Sequence, residues 1–301
     1  MKSELQNRGA IPRQLARIAP FFLPFVFFQS ALFALLSPLP LFVLTLRGAF
    51  PLALGALGVN LVLARLTGAN PNELFVLGFF WFGVGNLFPF LIRKSGKVQA
   101  SLTFAFLCMI LMFLLALQVR AHEIGLGMVE FLRSEISIGM DHLINLPNSP
   151  VKKLVDEQGR EGLFRQLMTE LPSGLLIALL LSLWINLLFA SQIVPSFLSK
   201  SFWNRFKNPE WLVWPTLGSA ALYAFAEHAP YYIGLNLFKL LMVFYAFQGL
   251  SILAFLMHRN NIAGLGRILI FSVALFLALP FVLALGFFDL WFDFRKKFGQ
   301  I

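Results

Sequence analysis

Nine apolar runs dominate the chain, at residues 20–36, 38–46, 49–66, 73–92, 101–119, 172–194, 211–227, 231–257 and 266–294. A helix needs about 20 apolar residues to cross the hydrocarbon of a bilayer, and several runs reach that length. Charged residues make up only 13% of the 301, whereas soluble domains carry about 25%. The 36 phenylalanines could not all be hidden in a single soluble core of this size. The expected fold is therefore all-α, a polytopic transmembrane helical bundle of eight to ten membrane segments whose first partner is the lipid bilayer.

Two runs do not fit a simple span. The stretch "PLPLFVLTL", 38–46, is short and bracketed by Pro38, Pro40 and Gly48, which suggests a half-helix or re-entrant piece covered by other protein. The run 266–294 is too long for one ordinary span and contains Pro280. It reads either as a span followed by an interfacial helix or as a hairpin of two short spans.

The distribution of charge sets an orientation. Residues 121–170 hold eight of the fourteen acidic residues and five Lys/Arg, a balance of −3, so the rest of the chain carries +13 and the whole chain +10. The positive residues cluster at junctions: Lys2, Arg8, Arg13 and Arg17; Arg93, Lys94 and Lys97; Lys200, Arg205 and Lys207; His258, Arg259 and Arg267; Arg295, Lys296 and Lys297. By the positive-inside rule these mark the cytoplasmic side, with both termini inside and 121–170 outside. That arrangement favours the hairpin for 266–294 and requires 38–46 to return the chain inward. The basic N-terminus precedes an apolar run with no small-residue cleavage site, which points to an uncleaved first span. The expected location is a bacterial inner (cytoplasmic) membrane. No basic module interleaved with exposed aromatics is present, so nucleic acid is excluded as a partner.

The outer segment has its own pattern. Met128, Leu132, Ile136, Met140 and Leu143 share one helical face, and Glu130, Ser134, Ser137, Asp141 and Asn145 the opposite one. This predicts an amphipathic helix at the outer interface or capping the bundle. Ser149 can cap a second helix with Pro150 in its first position, and Gly159 and Gly162 weaken it. Three stretches result: a membrane half at 1–120, an outer helical insertion at 121–170 and a second membrane half at 171–301, integrated into one membrane domain.

Chemistry-bearing motifs are scarce. Asp289 and Asp293 lie on one helical face, as in half of the metal-binding signature of lipid-alcohol phosphotransferases, but the other half is missing. No zincin, hydrolase-elbow or P-loop pattern occurs, and His122, His142, His228 and His258 never pair at metal-ligand spacing. The single Cys108 excludes an internal disulfide and a cysteine cluster, and it reads as a small buried hydrophobe. No catalytic residue, metal ligand or cofactor is expected, and the chain is not read as an enzyme.

Two constellations remain. Ala49, Ala53, Gly55, Ala56 and Gly58 line the helix that follows Pro51, a small-residue face suited to close packing within the bundle or to docking another membrane subunit. The stretch "AEHAPYYIGLNLFKLL", 226–241, concentrates Glu227, His228, Tyr232, Asn236 and Lys239 in apolar surroundings. Tyr232, Asn236 and Lys239 share a face. With Lys239 roughly 12 Å below the outer end of the helix, a partner is needed, and Asp289 on the hairpin reaches a similar depth. With Glu227, His228 and Glu73 at the outer rim, the group forms either a polar ligand cavity or a structural ion pair locking two helices.

"NPEWLVWPTL" at 208–217, "IGLNLFKLLMVFYAFQGLSILAFLMHR" at 233–259 and "LGFFDLWFDFRKK" at 285–297 resemble the YybS-like family of bacterial membrane proteins. They share the Pro-Glu-Trp motif, the Asn before the long span, the Gln-Gly pair and the terminal Asp…Arg. The likeness extends more weakly through "LPSGLLIALLLSLWINLLFA" and the N-terminal spans. That family is itself similar to the S components of energy-coupling-factor vitamin transporters, with "PLPLFVLTLRGAFPLALGALG", 38–58, as the matching part. The resemblance implies an outward-facing ligand cavity and a small-residue helix that docks on an energising membrane subunit. The acidic outer insertion and the extra C-terminal membrane sequence depart from S components, and no ligand-specific residue set carries over. Two functions are expected: S-component-like binding or transport of a small-molecule ligand that the sequence does not identify, or a non-transporting subunit or assembly factor of an envelope complex that uses 121–170 as its contact surface.

Overall fold

A computed structural model describes residues 18–30, 33–147, 149–194, 197–198 and 202–299. The N-terminal cluster Lys2, Arg8, Arg13 and Arg17, and Lys200, lie outside the described residues. Every regular element among those described is helical. In chain order they are α1 (Leu23–Gln29), α2 (Leu39–Leu46), α3 (Phe50–Leu66), α4 (Pro71–Phe82), α5 (Phe88–Ser95), α6 (Val98–Glu123), α7 (Met128–Ile144) and α8 (Pro150–Gln158). There follow α9 (Arg160–Ile193), α10 (Phe202–Arg205), α11 (Val213–Phe225), α12 (His228–Arg259), α13 (Leu265–Phe276), α14 (Leu279–Phe292) and α15 (Phe294–Gly299). The chain divides into two compact units, Met1–Phe131 with Ala178–Phe197, and Leu132–Ile177 with Leu198–Ile301. Each unit draws on more than one of the three stretches expected from the sequence.

Among the described residues four rods are long and apolar enough to cross a membrane: Pro71–Ser95, Val98–Glu123, Arg160–Ile193 and His228–Arg259. The pair Leu265–Phe276 and Leu279–Phe292, bent by 92°, makes a fifth if it counts as one span. This is fewer than the eight to ten segments expected. Within 20–36 the described residues form a short helix with Pro24 in its first turn and two 3-10 turns, Ala19–Phe21 and Ala34–Leu36, and α2 and α3 are single short helices. Between α13 and α14 the chain turns at Leu277 and Ala278, two residues earlier than Pro280 suggested. Pro280 sits in the first turn of α14, where its missing N–H is no loss.

In the first unit, buried polar side chains fasten the short elements. Asn60, fully buried on α3, donates to the carbonyls of Pro20 (3.0 Å) and Ala56 (2.7 Å) and accepts from the amide of Phe25 (3.0 Å). Trp81 donates to Ser37 Oγ at 2.9 Å, and Asn186 and Ser182 both donate to the carbonyl of Leu35. α4 passes into α5 through a π turn, Gly83–Leu87, whose glycines admit neighbours: a Cβ on Gly83 would strike the Met109 side chain, and one on Gly85 would stand 2.9 Å from Leu41 Cβ. Asn70 and Glu73 form a reciprocal capping box at the start of α4, so the Glu73 carboxylate is engaged by its own helix end.

In the second unit α12 is the central rod. It meets α11 at Gly234, where a Cβ would stand 2.6 Å from the Tyr223 amide nitrogen. It meets α14 where Gly249 and Gly286 face each other; a Cβ on Gly286 would collide with the Tyr245 carbonyl, and one on Gly249 with the Val282 carbonyl. Such backbone-to-backbone approach is how helices pack where lipid competes for every apolar surface. Phe287 and Trp291 of α14 close over Tyr245 with ring centroids 5.1 Å apart in each successive pair.

The amphipathic helix at 128–144 and its successor form as expected, with Ser149 Oγ accepting from the Val151 amide at 3.2 Å and Gly159 (φ +75°) ending α8. Arg160 grips Asp141 through both carboxylate oxygens (2.9 and 3.0 Å) and Ser137 (3.0 Å), so the polar face of α7 is engaged. The apolar face is only partly covered: Met140 is buried, while Val129 and Leu143 are exposed. Cys108 is half-buried rather than buried.

The glycine crossing yields a test. Gly286→Ala should lower the stability of the detergent-solubilised protein by about 2–3 kcal/mol, because overpacking against backbone has no flexible side chain to yield. Gly58→Ala, in open space on α3, should be neutral or stabilising by up to about 1 kcal/mol. Thermal unfolding of the two variants measures both; equal effects would contradict the crossing.

Candidate functional site

Two polar residues of 226–241, Asn236 and Lys239, meet α9 where it carries an internal proline. Pro172 has no N–H to donate, and its ring crowds the preceding turn, so the backbone ladder of α9 is loosened around it. Asn236 of α12 lies against this spot. Its Oδ1 accepts from the Ser173 amide at 2.9 Å, and its Nδ2 donates to the Thr169 carbonyl at 3.0 Å. One carboxamide thus spans the Thr169–Ser173 rung, the donor and acceptor that an undisturbed helix would pair with each other. Nδ2 also donates to the Tyr232 carbonyl at 2.8 Å, so both amide hydrogens and the oxygen are used.

One turn further along α12, Lys239 forms an ion pair with Glu170 of α9. Their side chains are 34% and 45% exposed. The expected Lys239–Asp289 pair does not form. Asp289 lies near the other end of α12, accepting from Gln248 Nε2 at 2.8 Å and from the Phe294 amide at 2.9 Å. α12 begins at His228 rather than 231 and is 32 residues long. Lys239 and His258 stand about 28 Å apart along it, close to the thickness of a hydrocarbon core. The basic end at His258 and Arg259 and the Lys239–Glu170 pair therefore bracket the apolar stretch, and Lys239 sits at its edge rather than deep within it. Tyr223, Tyr231 and Tyr232 cluster beyond that edge with successive centroids 5.5 and 5.3 Å apart, as interfacial tyrosines do.

The proposed ligand set is thus divided. Asn236 and Lys239 meet α9; Glu227, His228 and Tyr232 are exposed at the start of α12, His228 with φ +54°; Asp289 belongs to a separate buried cluster. There Gln248 Oε1 accepts from the Asn208 amide (3.0 Å), Asn208 Nδ2 donates to the Phe244 carbonyl (2.8 Å), and Arg295 donates to the Phe206 carbonyl (2.7 Å) and Ser251 Oγ (3.2 Å). Burial pulls the Arg295 guanidinium below its usual pKa, and the charges of Asp289 and Asp293 oppose that shift. Asp293 caps α14 in the left-handed region, its amide donating to the Asp289 carbonyl at 3.0 Å, and its carboxylate pairs with Lys296 at 2.9 Å.

The docking set divides as well. Ala53 and Ala56 are buried with Asn60 and Ala64 on the inner side of α3, and Ala49 is half-buried. Gly55 and Gly58 face open space on the outer side. Among the described residues no group of three or more His, Cys, Asp or Glu could hold a metal.

Sequence reasoning missed Glu170, Gln248, Asn208 and Arg295 as partners. The signal for the first was hidden: Pro172 opens the apolar run 172–194, and only the extension of α9 back to Arg160 places the proline inside a helix with Glu170 two residues before it.

Long apolar rods, glycine crossings and buried side-chain amides that satisfy backbone groups define a polytopic α-helical membrane protein. Residues 18–290 match the family described as "Predicted membrane protein (DUF2232)", and the chain belongs to that family. No curated protein and no solved structure matches it.

The bridge at the proline is testable by a coupled pair. Asn236→Leu should cost about 1–2 kcal/mol, because it strands a part-buried donor and acceptor. The penalty should shrink in a Pro172→Ala background, where the backbone of α9 can close its own ladder. Thermal or denaturant unfolding in detergent reads the coupling; an unchanged penalty would show that Asn236 does not serve the proline.

Proposed function

We propose that this protein is a non-transporting subunit or assembly factor of a cell-envelope complex. It resides in the bacterial inner membrane with both termini cytoplasmic and segment 121–170 on the outer side. The carrying observation is how the polar residues are used: Asn236 and Lys239 bond to α9, and Asp289 bonds to Gln248 and Phe294. They hold helices together. The outer segment meanwhile leaves Val129, Ile138, Leu143 and Leu154 exposed, apolar surface suited to a protein partner. Gly55 and Gly58 on α3 offer a second, intramembrane face for another subunit.

One observation favours the S-component-like reading, in which a small solute is bound. The Lys239–Glu170 pair remains a third to a half exposed, so a polar ligand could reach it. Enzymatic activity and a cofactor are no part of either reading.

A photo-crosslinking residue placed at Val129 or Leu143 in cells separates the two. The subunit reading expects one discrete protein adduct from these positions, lost on detergent disruption before irradiation, and none from Glu157. Absence of any adduct at Val129 and Leu143, with a small molecule copurifying and lost on Lys239→Met, would transfer the assignment to solute binding.

A further inference from the structure

α7 has three sides, and two of them are engaged. Its apolar side carries Met140, which is buried, with Leu132 and Ile136 partly covered. Its second side carries Ser137 and Asp141, both held by Arg160. The third side is a stripe with the spacing i, i+3, i+4 and i+7, made of Glu135, Ile138, Gly139 and His142. All four are exposed, Ile138 by 61%, and a Cβ on Gly139 would meet nothing within 4 Å. The side chains of Glu135 and His142 make no hydrogen bond or ion pair among the described residues. They stand about 10.5 Å apart along the helix, too far to reach each other within one chain. The stripe is its own complement. Reversed about the midpoint between Ile138 and Gly139, Glu135 falls on His142 and Ile138 falls on Gly139. Two copies of α7 laid antiparallel about that point bring each carboxylate to the other chain's imidazole, which can donate to it whether neutral or charged. Each Ile138 then meets the other chain's Gly139, where no side chain blocks it. Two chains in one membrane can share an axis along its normal, and that axis sets a helix lying in the interface antiparallel to its mate.

We propose that α7 pairs through this stripe with α7 of a second copy of the chain, with Glu135–His142 pairs on either side of an Ile138–Gly139 centre. One helix face is well below the roughly 800 Å² per partner of a standard interface, so the pairing is a reversible one between chains already held in the same membrane. It goes beyond the subunit reading and does not depend on it, because Val129 and Leu143, the positions that test that reading, lie on another side of α7.

Disulfide formation by the full chain in membranes tests the pairing, in a Cys108→Ala background so that only introduced thiols report. Residues beside a two-fold axis meet their own counterparts, and a disulfide needs Cα atoms about 4.4–6.8 Å apart. Under mild oxidation Ile138→Cys and Gly139→Cys should each give a covalent dimer. Arg133→Cys should not, because this exposed position of the same helix would stand about 16 Å from its counterpart along the pair. With Gly139→Cys as reporter, Glu135→Lys should lower the dimer yield about fivefold, and His142→Glu likewise, since each loses a pair on both sides of the axis. The first sets an ammonium against the imidazole and the second sets two carboxylates together; combining them restores opposite charges and should restore the yield. If Gly139→Cys does not fold, Ile138→Cys reports in its place. Monomer alone from both positions, an equal yield from Arg133→Cys, or a combined variant no better than the single ones would overturn the proposal. A protein adduct at Val129 without a dimer here would leave the subunit reading standing and remove this one.

Discussion

Lipid offers no hydrogen bonds, so every backbone group at membrane depth has to find its partner inside the protein. Pro172 brings that constraint to the edge of the apolar stretch, because it loosens the ladder inside the 34-residue helix α9. The response is a single asparagine on another helix. By spanning Thr169 and Ser173, Asn236 restores what the proline removes and ties α9 to α12 at a fixed height. The Lys239–Glu170 pair one turn away fixes the rotation of the same contact. A carboxamide and an ion pair together leave little freedom for the second unit to slide one helix along the other.

The same logic recurs elsewhere. Asn60 ties the N-terminal run to α3 through two backbone groups, the Pro20 carbonyl and the Phe25 amide, and Gln248 links a buried aspartate to the backbone of the loop before α11. Glycines supply the complementary device. Where Gly249 meets Gly286, removing two side chains lets backbones touch and gains contact area that lipid tails cannot easily replace. Polar groups specify which helices meet, and small residues determine how closely.

Much of this was legible from residue types and spacing. The all-α membrane class followed from the apolar runs, the amphipathic helix at 128–144 from a 3.6-residue period, its successor from Ser149 and Pro150, and the common face of Asn236 and Lys239 from their three-residue separation. The misses have one physical origin. Spacing within a helix is written in the sequence, but the register between helices is set by packing. Glu170 lies 69 positions from Lys239 and appeared to belong to the acidic outer segment, while Asp289 seemed to reach the right depth on a symmetrical hairpin. The turn at Leu277 and Ala278 shifts Asp289 toward Gln248 instead. The count of membrane segments failed for a related reason, since hydropathy does not register that the described parts of 20–36 are a seven-residue helix and two 3-10 turns, each too short to span.

The central claim is that the charged pair on α12 and α9 exists to lock these helices. A double-mutant cycle in nanodiscs measures it most directly, with Lys239→Met, Glu170→Met and the combined variant followed by unfolding. Each single change should destabilise by about 1–2 kcal/mol, a value reduced from that of a fully buried pair because both side chains are partly exposed. The combined variant should return close to the unaltered protein. Additive losses, with the combined variant the least stable of the three, would show that Lys239 and Glu170 act independently and would contradict the lock.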